Sequence, residues 1–518
     1  MEGTIYSVIP PLVAIIMIVI TKRVLVSLGI GIVIGAFMAT DFKMTEALRY
    51  LANISVGIVY TEEGWNLGNI YILAFLFFLG MMTAIISISG GSKAFGDWAI
   101  KRVKSRVGAQ LLPIVLGIII FIDDYFNALA VGSISKPVTD RFKVSRVKLA
   151  YYIDSTSAPV CAISPISSWG AYIITLIGGV FVSLNITNVA PMTAFLQMIP
   201  MNYYVILAVA LLLFAAIFNV NIGPMKKHEE RALIHGDVTN PAKRGSIVHA
   251  EQQLPENEQG KVSDLLLPIL VLIVSTFIFI AYTGVKNTEG QVTFMAMLEN
   301  TDVGFSLFLG GMIGLLLSTF LYFRHRLSTS LFKKGLWVGT KSMLPPIYIL
   351  LLSWMIMDVI STLKTGEYFA GLVNQHIDVM YLPLLLFIVG AIMAFSTGTS
   401  WGTFGIMLPI AGEIAMQTDI TLLLPIMAAS VSGTVFGDHC TPISDTAVLS
   451  STGAGCDYMD HIITQLPYAL LAALFSAVGY FVLGLTQSNG LGFLTAFGLL
   501  VLFVVIVMIR RKKQSLHV

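Results

Sequence analysis

Long apolar stretches alternate with short polar ones along nearly the whole chain. Many of these stretches approach the ~20 residues that a helix needs to cross the hydrocarbon core of a bilayer. Because lipid offers the backbone no hydrogen-bond partners, such stretches are expected to be helical. The pattern predicts about 11 transmembrane helices, near residues 6–20, 24–39, 68–90, 149–179, 203–219, 264–284, 304–323, 343–363, 421–450, 465–485 and 491–509. It therefore predicts an all-α polytopic membrane protein.

Composition agrees with this prediction. The 518 residues are 56% hydrophobic and 12% charged, and soluble domains carry roughly twice that charged fraction. The net charge of +2 comes without a basic block, so we expect no nucleic-acid partner. Three cysteines do not make a disulfide framework. The first apolar run is followed by Lys22 and Arg23 and is predicted to be a retained span rather than a cleaved signal peptide.

Two apolar tracts fit poorly as simple spans. The tract 110–133 lies between basic clusters at 93–106 and 136–148, and Lys and Arg favour cytoplasmic loops. It is therefore predicted to enter and return on one side as a re-entrant hairpin, with "FIDDYFN" at its tip. The tract 381–416 carries "FSTGTSWGT" between acidic flanks and is predicted to be a second hairpin that opens outside.

The remaining spans then alternate with the amino terminus outside and the carboxyl terminus in the cytoplasm. We expect the chain to lie in the cell inner (plasma) membrane. The polar segment 220–263 is predicted to be a flexible cytoplasmic linker between two halves, 1–219 and 264–485, and residues 486–518 add a helix and a basic tail. The oligomeric state is left open, with a homodimer as one candidate.

A short similarity relates the two halves. "CAISPIS" at 161–167 aligns with "DHCTPIS" at 438–444. Each lies in a long tract, 149–179 or 421–450, that follows a hairpin, and the charge rule runs the two tracts in opposite directions. This is the signature of two inverted repeats with discontinuous helices. Pro159, Pro165 and Pro442 each remove a backbone donor and are expected to break a regular helix, and the freed carbonyls are potential ligands for a small cation.

Polar side chains within these tracts are the candidate ion or substrate site, because ionisable groups inside a membrane are functional candidates by default. The candidates are Asp123, Asp124, Asp154, Ser155, Ser157, Ser164, Ser167, Thr397, Thr399, Ser400, Asp438, His439, Thr441, Ser444, Asp445 and Thr446. Asp438, Asp445 and Asp154 are the candidates for binding Na⁺.

Most candidates also have a purely structural interpretation. Asp445 suits the N-cap of a half-helix beginning near Thr446, and Asp154 suits the cap of a half-helix leading to Pro159. Asp123 and Asp124 would be solvated at a hairpin tip. The glycines around Thr399 suit close helix packing. His439 is either a packing residue or a group that titrates near physiological pH.

At "FGDHCTPISDT", "FIDDYFN" and "DSTSAPVCAISPISSWG" the chain resembles the NhaC-type Na⁺/H⁺ antiporter family. The resemblance covers most of the chain. It implies the two-repeat fold, exchange of sodium for protons or sodium-linked movement of an organic solute, and an ion-site role for Gly437, Asp438 and residues 442–446. The family pattern has a lysine where this sequence has His439, and that difference bears on coupling or substrate.

The leading functional hypothesis is Na⁺/H⁺ antiport by alternating access, with Na⁺ and H⁺ as coupling ions and no cofactor. The alternative is Na⁺- or H⁺-coupled transport of an amino acid or carboxylate, because helix N-termini also hold carboxylates. The expected partners are small cations, an organic solute under the alternative, and the lipid bilayer. An intramembrane aspartyl protease is disfavoured, because its Gly-x-Gly-Asp element would need glycine at Val435. We expect no enzymatic activity.

Overall fold

The computed structural model describes residues 2–21, 23–61, 64–187, 189–242, 257–288, 293, 297, 300–365, 368, 378–441 and 444–515. The described chain is nearly all helical, with one small antiparallel pair, β1 (Tyr60–Thr61) and β2 (Gly64–Trp65). The α-helices are α1 (Ile9–Thr21), α2 (Val24–Ala39), α3 (Met44–Gly57), α4 (Leu67–Ile88), α5 (Gly91–Arg102), α6 (Arg106–Ile119), α7 (Asp124–Arg141), α8 (Arg146–Ala162), α9 (Ser168–Ser183), α10 (Pro191–Met198), α11 (Tyr203–Ile217), α12 (Met225–His235), α13 (Val262–Asn287), α14 (Val303–Arg324), α15 (Thr329–Thr362), α16 (Leu382–Thr397), α17 (Ser400–Thr418), α18 (Leu423–Cys440), α19 (Asp445–Ala454), α20 (Tyr458–Thr486) and α21 (Asn489–Ser515).

Several of these helices are long and apolar enough to cross a membrane. Within the described residues six meet this condition by length and composition: Leu67–Ile88, Val262–Asn287, Val303–Arg324, Ile420–Cys440, Tyr458–Thr486 and Asn489–Arg510. A further candidate is a pair bent by 50°, Pro191–Met201 with Tyr203–Ile217. The all-α, multi-pass prediction is thus supported, and the count of 11 spans stays a prediction.

The two tracts expected to contain breaks are both interrupted. Helix α8 ends at Ala162 and α9 begins at Ser168, while α18 ends at Cys440 and α19 begins at Asp445. The expectation that Pro159 also breaks its helix was wrong, because Pro159 lies inside α8. Membrane helices tolerate a proline where neighbouring groups satisfy the freed backbone. Pro442 lies outside the described residues.

The two broken helices run in opposite directions through the molecule. At one end, the Arg146 guanidinium at the start of α8 donates to the carbonyl of Gly455, just past α19, at 3.2 Å. At the other end, Leu184 after α9 and Leu423 at the start of α18 line one cavity of about 610 Å³. Helix α7 packs against α19, and α9 packs against α17, so each tract predicted as a hairpin contacts the broken helix of the other predicted half.

Glycines bring α18 very close to α16. A Cβ atom at Gly433 would stand 2.0 Å from the carbonyl oxygen of Phe387, and one at Gly437 would stand 2.2 Å from that of Ala391. The two glycines are four residues apart and share one helix face, as in the small-residue contacts of membrane helices. The residue before Asp438 is therefore a glycine for a packing reason.

The first part of the segment between the halves is folded onto the helices rather than flexible as expected. Helix α12 packs against α8, and its Glu229 is 1% exposed. Glu229 accepts from Lys148 at 3.3 Å, from Arg106 at 2.6 Å and from the Ser145 amide at 2.7 Å. Lys148 is itself fully buried. Polar composition suggested a loop, but these charges are satisfied by long-range pairing.

Candidate functional site

Asp438 lies in the last turn of α18, immediately before the break, and is 1% exposed. The hydroxyl of Ser400 donates to Asp438 Oδ2 at 2.8 Å. Ser400 is the first residue of α17, and the partial positive charge at a helix N-terminus stabilises a nearby carboxylate. Gly398 allows this approach because it ends α16 with φ = 73°, a conformation that glycine adopts without strain. Two predicted site residues from different helices thus meet.

Asp123 lies between α6 and α7 and contacts the start of α9. The hydroxyl of Ser168 donates to Asp123 Oδ2 at 3.1 Å, and the Ser168 amide donates to the carbonyl of Ile122 at 2.8 Å. Asn127 closes the end of α6 by donating to the carbonyl of Ile120 at 3.0 Å. Asp123 and Asp124 are 2% and 1% exposed, so solvent does not stabilise either carboxylate here.

Asp154 lies in the middle of α8 and is fully buried. It accepts from Gln465 Nε2 at 2.6 Å and from the Ser450 hydroxyl at 3.2 Å. His461 Nε2 is 3.5 Å from Asp154 Oδ2. The capping role proposed for Asp154 was wrong, because α8 begins eight residues earlier at Arg146. Asp154 instead joins α8 to α19 and α20.

His439 follows Asp438 and faces α11. Its Nδ1 is 2.9 Å from the Tyr204 hydroxyl, and its carbonyl accepts from Gln465 Nε2 at 3.0 Å. Its Nε2 has no hydrogen-bond partner among the described residues. Because Gln465 Nε2 also donates to Asp154, one amide links the backbone beside Asp438 to the Asp154 carboxylate.

The N-cap of α19 is Ser444, whose hydroxyl accepts from the Ala447 amide at 3.2 Å. The capping role proposed for Asp445 was therefore wrong, since Asp445 is the first residue inside the helix. The side chains of Asp445 and Thr397 lie outside the described part of the structure.

The other predicted hydroxyl residues divide into two groups. Three donate to backbone carbonyls of their own segment, which satisfies the main chain near the first break: Ser157 to Asp154, Ser164 to Val160, and Ser167 to Cys161. The rest are buried near the starts of α17 and α19, at the end of α18 or in α8: Thr399, Thr446, Thr441 and Ser155. Thr441 Oγ1 has no hydrogen-bond partner within the described chain.

Several contacting residues were not predicted from the sequence, namely Ser168, Tyr204, Ser450, His461 and Gln465. One signal was available for two of them. His461 and Gln465 are four residues apart in a predominantly apolar helix, so they share a face. Among the described residues no group of three or more His, Cys, Asp or Glu side chains is placed to hold a metal ion.

Comparison with known proteins gives consistent results. An uncharacterized protein of Haemophilus influenzae is 46% identical over 97% of this chain and 95% of its own length. A malate-2H⁺/Na⁺-lactate antiporter of Bacillus subtilis is 29% identical over 42% of this chain and 45% of its own length. The crystal structure of the Alcanivorax borkumensis YdaH transporter covers 88% of this chain and 90% of its own, with a TM-score of 0.55 at 15% identity, and shows a similar fold.

The family comparison agrees with the resemblance drawn from the motifs. A model described as the Na⁺/H⁺ antiporter family matches residues 160–485, a region that begins at the end of α8 and contains α9, both helices of the second break and the second tract predicted as a hairpin. The chain is therefore a secondary transporter that belongs to the Na⁺/H⁺ antiporter family.

Proposed function

We propose that the protein exchanges Na⁺ for H⁺ by alternating access. The observation that carries this proposal is the buried Asp438 carboxylate at the break of α18, held by Ser400 at the start of α17. A carboxylate inside a membrane protein is costly and is retained where it binds or releases a cation. Carbonyls freed at the end of α18 supply further oxygens for a partly dehydrated Na⁺.

We further propose two inverted repeats, 1–219 and 264–485, with α6–α7 and α16–α17 as the re-entrant hairpins. The opposite directions of the two broken helices support this arrangement, as do the reciprocal contacts of α7 with α19 and of α9 with α17. In such folds the ion site lies where the repeats meet and is exposed to each side in turn. Asp154 and Asp445 are the other candidate Na⁺ ligands.

A reconstituted transport assay tests the proposal. Purified protein in liposomes should acidify or alkalinise the vesicle lumen when a Na⁺ gradient is imposed, and Asp438→Asn should abolish this response while the variant purifies normally. The amide keeps the size of the side chain but removes the charge. Asp264→Asn, which removes a 2% exposed carboxylate on α13, is the matched control and should retain the response. Normal turnover and Na⁺ affinity in Asp438→Asn would remove Asp438 from the site.

A second candidate function is antiport of an organic carboxylate. Trp169 and Trp401 are the second residues of α9 and α17, their rings lie 5.8 Å apart, and neither indole N–H has a hydrogen-bond partner among the described residues. Two buried donors beside two helix N-termini favour an anion. The malate-2H⁺/Na⁺-lactate antiporter among the relatives is in keeping with this. Adding labelled lactate or malate to the same vesicles distinguishes the two functions.

A further inference from the structure

We propose that the protein has a second sodium site, built around Asp123 at the junction of α6 and α7, in addition to the site at Asp438. This inference rests on the proposed sodium transport and names a second place where the same ion binds. The ligands are a carboxylate oxygen of Asp123, the hydroxyl of Ser168 and the side-chain oxygen of Asn127. Each of these three side chains is at most 2% exposed.

The same tripeptide, Ser-Trp-Gly, opens both α9 and α17. In each copy the serine is buried and its hydroxyl donates to a buried aspartate on another element. Ser168 at the start of α9 donates to Asp123 Oδ2 at 3.1 Å. Ser400 at the start of α17 donates to Asp438 Oδ2 at 2.8 Å. The arrangement that we propose to hold Na⁺ at Asp438 is therefore present a second time at Asp123.

The side chain of Asn127 supplies an independent argument for a ligand. Its Nδ2 donates to the carbonyl of Gly117 at 2.7 Å and to that of Ile120 at 3.0 Å, which fixes the orientation of the amide at the end of α6. Its Oδ1 is buried and has no hydrogen-bond partner among the described residues. The Asn127 backbone amide donates to the Asp123 carbonyl at 2.9 Å, so this oxygen lies at the same junction as the carboxylate. A buried oxygen in this position is costly unless a donor or a cation meets it.

The groups at this junction favour a small cation over an anion. A serine hydroxyl that donates to a carboxylate keeps its lone pairs for a cation, so Ser168 can serve Asp123 and an ion together. Helix α6 ends at Ile119, just before the junction, and the partial negative charge of a helix C-terminus attracts cations. The start of α9 is already occupied by the Asp123 carboxylate. The ligand that completes this set of oxygens is therefore a cation, as at the helix ends of other transporters.

The two sites are linked through the tryptophans of the two tripeptides. Trp169 and Trp401 are buried, and their ring centroids lie 5.8 Å apart. The Tyr172 hydroxyl on α9 donates to the carbonyl of Trp401 on α17 at 2.8 Å. An ion that fixes the start of α9 at Asp123 therefore also restrains the start of α17, which holds Asp438. We expect occupancy of one site to change the affinity of the other.

Equilibrium binding of ²²Na⁺ to the purified full-length protein in detergent tests the proposal, with choline chloride holding the ionic strength constant. At saturation the wild type should bind about two Na⁺ per chain, and Asp123→Asn and Asp438→Asn should each bind about one. Asparagine caps a helix about as well as aspartate, so Asp123→Asn keeps the start of α7 while it removes the charge. Asp302→Asn is the matched control and should bind as the wild type does, because Asp302 caps α14 outside the site by accepting from the Phe305 amide at 2.9 Å.

The number of ions bound separates the two proposals. Equal binding by the wild type and Asp123→Asn would overturn the second site, and loss of all binding in Asp438→Asn alone would leave the sodium function standing with a single site. Absence of Na⁺ binding by the wild type would overturn the sodium function together with both sites. If Asp123→Asn does not purify as a single species, Ser168→Ala takes its place. It should lower the affinity for one of the two ions about tenfold or more, and two unchanged affinities would overturn the second site.

Discussion

At the scale of single residues, burial decides what a charge does. Glu229 and Glu230 are neighbours on α12, yet Glu229 is 1% exposed against Lys148 and Arg106, while Glu230 is 55% exposed against Lys226. Removing one partner of a buried ion pair leaves the other charge without compensation. Exposed pairs contribute little. The two positions therefore offer the same chemical change in opposite environments.

We expect Glu229→Gln to destabilise the folded protein by about 3–5 kcal/mol, because the buried Lys148 charge would lose its carboxylate partner. Glu230→Gln should change stability by less than about 1 kcal/mol. Thermal unfolding of the detergent-purified variants measures both. Equal melting temperatures for the two variants would show that the Glu229 cluster does not hold α12 in place.

Only part of the candidate site could be predicted from the sequence at this scale. Asp438, Asp154 and His439 were predicted as site residues because they are polar side chains within apolar tracts. Their partners did not, because Gln465 and Asp154 are 311 positions apart. Such a contact is set by how α20 packs on α8, and one sequence carries no direct record of that packing.

At the scale of helices, prolines and small polar residues marked the breaks, while packing decided their exact position. The break after α8 lies at 163–167, and Pro159 lies within the regular part of α8. Close packing of α16 on α18 depended on glycines whose role was ambiguous in the sequence. Gly433 faces the backbone of Phe387, whereas a Cβ at Gly498 on α21 would meet nothing within 4 Å.

The same substitution should therefore act in opposite directions at these two glycines. Gly433→Ala should destabilise the protein by about 1–3 kcal/mol, because the added methyl collides with the backbone of α16. Gly498→Ala should be neutral or stabilising by up to about 1 kcal/mol, since alanine is the better helix former. Melting temperatures in one detergent compare them. A stabilised Gly433→Ala variant would contradict the close approach.

At the scale of the whole molecule, the predicted topology determines which residues a reagent can reach from each side of the membrane. Lys104 and Arg141 are exposed at the ends of the α6–α7 region, and Gln417 is exposed near the end of α17. The native cysteines Cys161, Cys440 and Cys456 are buried. An introduced cysteine can therefore be labelled with little background labelling of the native cysteines.

In intact cells, a membrane-impermeant maleimide should label Gln417→Cys but neither Lys104→Cys nor Arg141→Cys, because the last two positions are predicted to be cytoplasmic. Permeabilised cells should give labelling at all three. If Lys104→Cys and Arg141→Cys report opposite sides, the first hairpin is a true span and the inverted-repeat arrangement is wrong.

The segment between the two predicted halves contacts helices of both. Helix α12 is tied to α8 through Glu229 and Lys148, while Tyr468 on α20 accepts from the Ile222 amide at 2.8 Å and Asp460 accepts from Asn240 at 2.9 Å. The cavity of about 610 Å³ lies at the opposite end of the broken helices. Under alternating access, opening the α12 end requires these bonds to separate. Their free energy then enters the equilibrium between the two conformers, and every 1.4 kcal/mol they contribute changes the population ratio about tenfold. Under the proposed alternating access, we therefore expect the connecting segment to bias which side of the membrane the resting carrier faces.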